Sequence, residues 1–381
     1  MYNIESSLKS KDKSSLMSKD KSSLIAKVEK SLKYKVESSL MLASYFETIG
    51  FNNGQWEFNY GHDVSDFQSY TAMSNTLLNH FIIQGGPTNL NINKWDSSDD
   101  TILIIATMKA VINGGGKNNY INEYVNVLDL LKNNKRYSGI TTLHSIRMLQ
   151  QKINIPISSK MGGNGAAMRT GPIGLKYFNN IEKVISESIT ASILTHNYYI
   201  GFLGGMITAL FTAFAINNID KYEWINKLLE LYENKIIHKY YPKTHDINDL
   251  DNFMSYWKKY KEERTNNYDF NNENIQYFND RHKFLINFYS NTDIKYKENN
   301  YWDKIASSGL DVCIFAYDCL LITNNLYSFM TLVCIHPGDN DTTGAIGGTW
   351  YGALNGYAEF DINKLKDLEF YKDIKDLVIY F

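Results

Sequence analysis

Proline is scarce, with 5 in 381 residues, and cysteine is scarcer, with 3. Cys313, Cys319 and Cys334 form no CxxC pair, and no secretory pattern stands ahead of them. A disulfide framework and a cysteine-built zinc site are both disfavoured. The expected setting is therefore a reducing, cytoplasmic one. Net charge is almost absent as well: 39 Lys and Arg stand against 41 Asp and Glu, a formal −2. A general nucleic-acid binder would carry a strongly basic face, so no nucleic-acid partner is expected. Strict period-two alternation is rare, and turn-delimited strand pairs are few.

What the chain does have is helical spacing. Apolar residues recur at three and four through 124–131, 181–194, 225–232 and 312–321. The expectation is an all-α domain. One uncharged stretch, YYIGFLGGMITALFTAFAI at 198–216, reaches the length of a membrane span. Gly201, Gly204, Gly205, Thr208 and Thr212 interrupt it, and basic flanks are missing apart from Lys221. A core helix buried on all sides is the expected reading, with no membrane partner.

Residues 1–40 differ in character. KSKDKSSL at 9–16 returns almost intact as MSKDKSSL at 17–24. This segment holds nine Lys against five Asp plus Glu, net +4, which leaves −6 for the remainder. Charged low-complexity runs rarely pack. The expected organisation is a basic tail over 1–40 and one domain over 41–381. Residues 240–300, polar and Asn-rich, read as an insertion of surface helices and loops.

Two acidic clusters carry the chemistry. The first is Trp95-Asp96-Ser97-Ser98-Asp99-Asp100-Thr101, followed by ILIIAT. The second is Gly338-Asp339-Asn340-Asp341-Thr342-Thr343-Gly344, followed by AIGGTWYGAL. Each opens an apolar run, so each suits a helix N-cap. A cap needs one such residue, and both clusters hold several. Hard oxygen donors without a His/Cys set suit Mg²⁺ or Mn²⁺. Carboxylates that converge would repel without cations. An EF-hand fails for the second cluster, because its twelfth position is Trp350 and not Glu. A third element, GGNGAAMR at 162–169, allows close backbone approach to an anion such as a diphosphate. Its rival is a tight interhelical turn. A dinucleotide fingerprint would need a third glycine where Met168 stands.

SSDDT at 97–101, GGNGAAMR at 162–169, THNYYIGFLGG at 195–205, SSGLDVCIFAYD at 307–318 and GDNDTTGAIGG at 338–348 follow one another in that order. Together they resemble the ADP-ribosylglycohydrolase family, which includes the dinitrogenase reductase-activating glycohydrolases. GFNNGQWEF at 50–58 and SYWKKY at 255–260 are similar to the eukaryotic ADP-ribosylarginine hydrolases. The resemblance spans roughly residues 40–370.

It implies an orthogonal helical bundle with a two-metal cleft, holding two Mg²⁺ with Mn²⁺ as the alternative ion. By motif, Ser98, Asp99, Asp100, Asp339, Asp341 and Thr342 would hold the metals, and Asp99 or Asp100 would position or deprotonate the attacking water. Glu57 matches the family's mobile active-site glutamate, against the reading of a plain surface glutamate. Gly162, Gly163, Asn164 and Gly165 would cradle the diphosphate. Gly139, Thr141, Ser308 and Gly309 stand where the family contacts ADP-ribose. The implied reaction is hydrolysis of the N-glycosidic bond to arginine in a mono-ADP-ribosylated protein substrate, by a monomer. The alternatives are a hydrolase of serine-linked, O-acetyl or poly(ADP-ribose), a non-catalytic ADP-ribose-binding module, and a scaffold acting through the tail.

The chain departs from the family in places. The usual Gly-Asp reads Phe46-Glu47, which predicts altered packing near the cleft. The usual His-His-Pro reads Asn197-Tyr198-Tyr199. His144, His196 and His336 are taken as structural, and His245, Asp246, Asp249 and Asp251 as a solvated loop.

Overall fold

A computed structural model describes residues 30–57, 67–265 and 305–381. The repeats at 9–24 and most of the Asn-rich stretch at 266–304 lie outside them. The described chain is all-α. Its longer helices are α1 (30–51), α2 (Phe67–Ile83), α3 (Asp99–Ile112), α4 (Lys117–Asn126), α5 (Ile140–Gln150), α6 (Gly171–Tyr177), α7 (Ile181–Ile193), α8 (Tyr199–Ile216), α9 (Trp224–Glu233), α10 (Ile247–Tyr260), α11 (Asp311–Ile322), α12 (Leu326–Cys334), α13 (Asn340–Asn355) and α14 (Tyr371–Val378). One antiparallel bridge, Gly163 to Ser308, is the sole β pairing among the described residues.

α8 is the axle. All eighteen of its residues are buried, and it packs against α6, α7, α10, α11 and α13. It is the one described helix long and apolar enough to cross a membrane, yet its whole length is covered by protein. Phe211, near its C-terminal end, meets Trp224, Trp257, Tyr317 and Trp350 with ring centroids 5.1 to 5.4 Å away. Aromatic contacts at this spacing add to area burial.

α13 crosses α1 through a stripe of small residues. A Cβ on Gly344, Gly348 or Gly352 would lie 2.6, 2.2 or 2.5 Å from the backbone of Phe46, Leu42 or Ser38. Only glycine allows such an approach. The backbones are stitched where they touch: Ser38 Oγ donates to Gly352 O at 2.9 Å, and Ser39 Oγ to Thr349 O at 2.7 Å.

Two expectations are corrected here. The boundary near residue 40 falls inside α1, where Val36, Ser38 and Ser39 are already buried. Part of the expected surface insertion is core: α10 buries Leu250, Phe253, Met254, Trp257 and Tyr260. Those positions keep a helical period through the polar residues between them. Asp246 caps this helix by accepting from Asn248 N, and His245 sets its ring against Phe202 at 5.1 Å. His245 and Asp246 thus form the turn before the helix and Asp249 and Asp251 lie within it, with Asp246 and Asp251 exposed, so the cluster is solvated but only partly loop.

Candidate active site

Ser98 is the N-cap of α3, its Oγ accepting from Asp100 N at 3.2 Å. Asp99 and Asp100 occupy the first turn, where a carboxylate is favoured by the helix dipole. Asp339 is the corresponding residue of α13, followed by Asp341 in its first turn. It makes no cap to its own helix, since Asn164 Nδ2 donates to Asp339 Oδ2 at 2.7 Å and to Ala306 O at 2.7 Å. Thr342 N donates to Asp341 Oδ1 at 2.8 Å. Two helix N-termini, distant in sequence, thus face one cleft.

The cleft has a volume of about 400 Å³, within the range of ligand pockets. Asp99, Asp100, Asp339, Asp341 and Thr342 line one part of it with Glu57. Gly163, Asn164, Gly165, Met168, His196 and Ser307 line another, and Tyr137 with the 139–142 segment completes the wall. No Lys or Arg among the described residues lines it.

Glu57, Asp339 and Asp341 each bring a carboxylate oxygen within 4.8 Å of the others, as ligands of one cation would. Glu57 Oε2, Asp100 Oδ2 and Asp339 Oδ1 are buried without a hydrogen-bond partner. Burial, with the charge of Asp341, raises the proton affinity of Glu57, Asp100 and Asp339 well above the carboxylate range. The same causes push Asp99 up to about 8. Buried anions with open lone pairs and no cationic side chain fit one or more divalent cations.

The predicted residues separate in space. Asp99, Asp100, Asp339, Asp341, Thr342, Glu57, Gly139, Thr141, Gly163, Asn164 and Gly165 line the cleft. Ser98, Gly162, Ser308 and Gly309 stand behind it. Ser98 is committed to the cap. Gly162 O accepts from Gly309 N at 3.1 Å. Ser308 Oγ donates to Asp311 Oδ1 at 2.5 Å. Gly309 packs on α8 so closely that a Cβ would lie 2.4 Å from Ile200 O. Ser307 reaches the cleft in place of Ser308, a one-residue difference set by the Asp311 turn.

Tyr137 and Thr142 carried no motif signal and line the cleft; a short polar or lone aromatic residue does not announce itself. Met168 and Ser307 also line it, from inside two of the quoted motifs but without a role assigned to them. His196, expected to be structural, also lines it. Its Nδ1 lies 2.8 Å from Thr195 Oγ1, and burial with the nearby Arg169 charge lowers its pKa to about 3, so the ring is neutral. Gly165 makes room for it, since a Cβ there would lie 2.7 Å from the imidazole. Glu47, read as a packing change, is a fully buried brace. It accepts from Ser98 N and, at 2.9 Å, from Thr101 Oγ1.

Comparison with known proteins gives the family. The family model for ADP-ribosylglycohydrolases matches residues 54–380. The chain belongs to the ADP-ribosylglycohydrolase family. It is 31% identical over 357 residues to the ADP-ribosylhydrolase ARH1 of Dictyostelium discoideum, covering 84% of this chain and 86% of that protein. It is also 31% identical over 367 residues to protein L444 of Acanthamoeba polyphaga mimivirus, named as an ADP-ribosyl glycohydrolase, covering 89% and 68%. A solved ADP-ribosylglycohydrolase-related protein complex shares the fold, with a TM-score of 0.53 at 15% identity over 91% of this chain and 97% of that one. The protein is thus a hydrolase of this family, and its clustered carboxylates are the candidate catalytic centre.

Proposed function

We propose that this hydrolase cleaves the N-glycosidic bond between ADP-ribose and arginine side chains of modified proteins, with the assistance of two Mg²⁺ ions. The observation that carries the metal reading is the set of buried carboxylate oxygens without partners, facing a cleft that no Lys or Arg among the described residues lines. Asp99, Asp100, Asp339 and Asp341 would hold the cations, with Thr342 and Glu57 beside them. When bound, divalent cations supply Lewis-acid polarisation of ribose hydroxyls and offset the carboxylate charge.

The chain's own residues do the remaining work. Asp99 or Asp100, whose proton affinity burial has raised, takes a proton from the attacking water. The water oxygen bonds to the anomeric carbon while the bond to the guanidinium nitrogen breaks; the bond pair stays on nitrogen, the group leaves as neutral guanidine, and it then takes up the proton that the carboxylate removed from water. The remaining carboxylates favour the positive charge that develops on the sugar. Gly163 and Gly165, with the hydroxyls of Thr141, Thr142 and Ser307, offer the polar groups for a diphosphate in a cleft that no Lys or Arg among the described residues lines.

Arginine as the linked residue is supported by the GQWEF stretch, whose Glu57 lies in the cleft. SYWKKY at 255–260 supports it less, because Trp257 and Tyr260 are core residues of α10. The deciding measurement is release of free ADP-ribose from an arginine-modified protein, with and without Mg²⁺, beside a serine-linked control. Magnesium-dependent release from arginine alone is expected. Release from serine alone overturns the linkage and keeps the family reaction. Binding of ADP-ribose without release from either would make the chain a binding module.

A further inference from the structure

Ser97 stands immediately before the carboxylates of the first cluster, and it is fully buried. Both of its backbone groups are taken by a single ion pair. Its N–H donates to Glu369 Oε2 at 3.0 Å, and its C=O accepts from Arg136 Nη1 at 2.7 Å. The pair closes on itself, with Arg136 Nη1 and Nη2 donating to the two Glu369 oxygens at 2.6 Å each. Glu369 comes from the segment just before α14, more than two hundred residues from either partner. Arg136 belongs to the turn leading into Tyr137 and the 139–142 cleft wall. From the opposite side, Glu47 holds Ser98 N, and Thr48 Oγ1 lies 3.2 Å from Ser97 Oγ.

We propose that Arg136 and Glu369 are positioning residues for the divalent-cation site. They fix the Ser97 peptide, and so fix where α3 begins and which way Asp99 and Asp100 point. The C-terminal segment is then part of the apparatus that holds the ligands. This rests on the metal reading above. A partly buried ion pair adds little net stability by itself. This one forms hydrogen bonds to the peptide next to two ligands, and groups behind a metal's ligands set its affinity. The geometry also requires arginine: lysine has no planar fork to serve a carboxylate and a carbonyl together.

The test uses the full chain and Mn²⁺ as the probe, followed by the free-ion EPR signal, with thermal unfolding in EDTA measured in parallel. R136K and E369Q are compared with wild type and with R264K. The last removes the guanidinium fork of the buried Arg264–Asp318 pair, bonded at 3.0 Å and outside the cleft lining. Mn²⁺ affinity is expected to fall about tenfold in R136K, and by a smaller factor in E369Q, which keeps an acceptor for Ser97 N–H. R264K is expected to lose thermal stability and keep its Mn²⁺ affinity. R136K and E369Q that melt earlier in EDTA but bind Mn²⁺ as wild type does would reduce the pair to a structural tie and overturn the proposal. A wild-type chain that takes up no Mn²⁺ overturns the metal reading, and this inference with it.

Discussion

Asp100 is the residue at which function and stability pull apart most clearly. It is buried in the first turn of α3, one of its oxygens lacks a partner, and its neighbours are other carboxylates. Asp100→Asn removes a carboxyl whose ionisation burial and the neighbouring carboxylates oppose in the metal-free fold. Turnover is expected to fall by about 10²-fold or more, the scale for losing a transition-state electrostatic contact. The melting temperature in EDTA is expected to hold or rise, and a fully active variant would sink the assignment. The same burial sets the pH response of the metal-free chain. Glu47 is pushed up to about 7 and Asp99 to about 8, above the ordinary values of 4.5 and 3.8 that the unfolded chain has. Between about pH 4 and 8 the folded state therefore holds protons that the unfolded state has released. Stability must then fall as pH rises through that window. Melting in EDTA should come several degrees lower at pH 8 than at pH 5, and saturating Mg²⁺ should shrink or reverse the difference. A flat profile in EDTA would mean that the carboxylates are not buried together. The clustering was legible in the sequence, because carboxylates packed this densely at two helix starts are unlike ordinary caps. The sequence did not carry the role of Glu47, since a brace is defined by the atoms it meets across helices.

Among the elements, α13 does the most with the least side chain. Its small residues were visible in AIGGTWYGAL, but their partner was not, because a glycine says that something comes close and not what. The structure supplies α1, crossing at Gly344, Gly348 and Gly352. Those contacts carry the acidic N-terminus of α13 toward the end of α1 that holds Glu47. Gly348→Ala would place a Cβ 2.2 Å from Leu42 O, against backbone that cannot swing aside. The expected cost is about 1–3 kcal/mol, as for other overpacked sites, read as a lower denaturant midpoint with an unchanged slope. A neutral Gly348→Ala would contradict the α1–α13 crossing. α10 shows the opposite lesson. Its apolar positions kept a helical period throughout, yet the Asn-rich composition around them suggested surface. Period is the stronger signal, because a helix needs only one apolar stripe to join a core.

At the scale of the whole molecule, the helical class and the order of the motifs were legible, because both are written along the chain. Contacts between distant segments were not, and the joining of Glu369 to Ser97 is the clearest case. The beginning of the domain shows how composition misplaces a boundary. Residues 30–40 share the Lys and Ser content of the repeats before them, yet they form the first turns of α1. Tyr34 OH accepts from Tyr357 N at 3.1 Å, its ring meets Tyr357 edge-on at 5.4 Å, and Val36 and Ser38 are buried. Two truncations separate tail from domain. Removing residues 1–29 leaves every described contact in place, so turnover and melting temperature should match the full chain. Removing residues 1–38 deletes Tyr34, Val36 and the Ser38 bond to Gly352, and several degrees of melting temperature should go with them. The active centre feels that loss indirectly, because the α1 turns that go are the ones that seat the far end of α13. Turnover lost on removing 1–29 alone would instead make the basic repeats part of the enzyme. Equal melting of the two truncations would put the start of α1 later than residue 38 and return the boundary to where composition placed it.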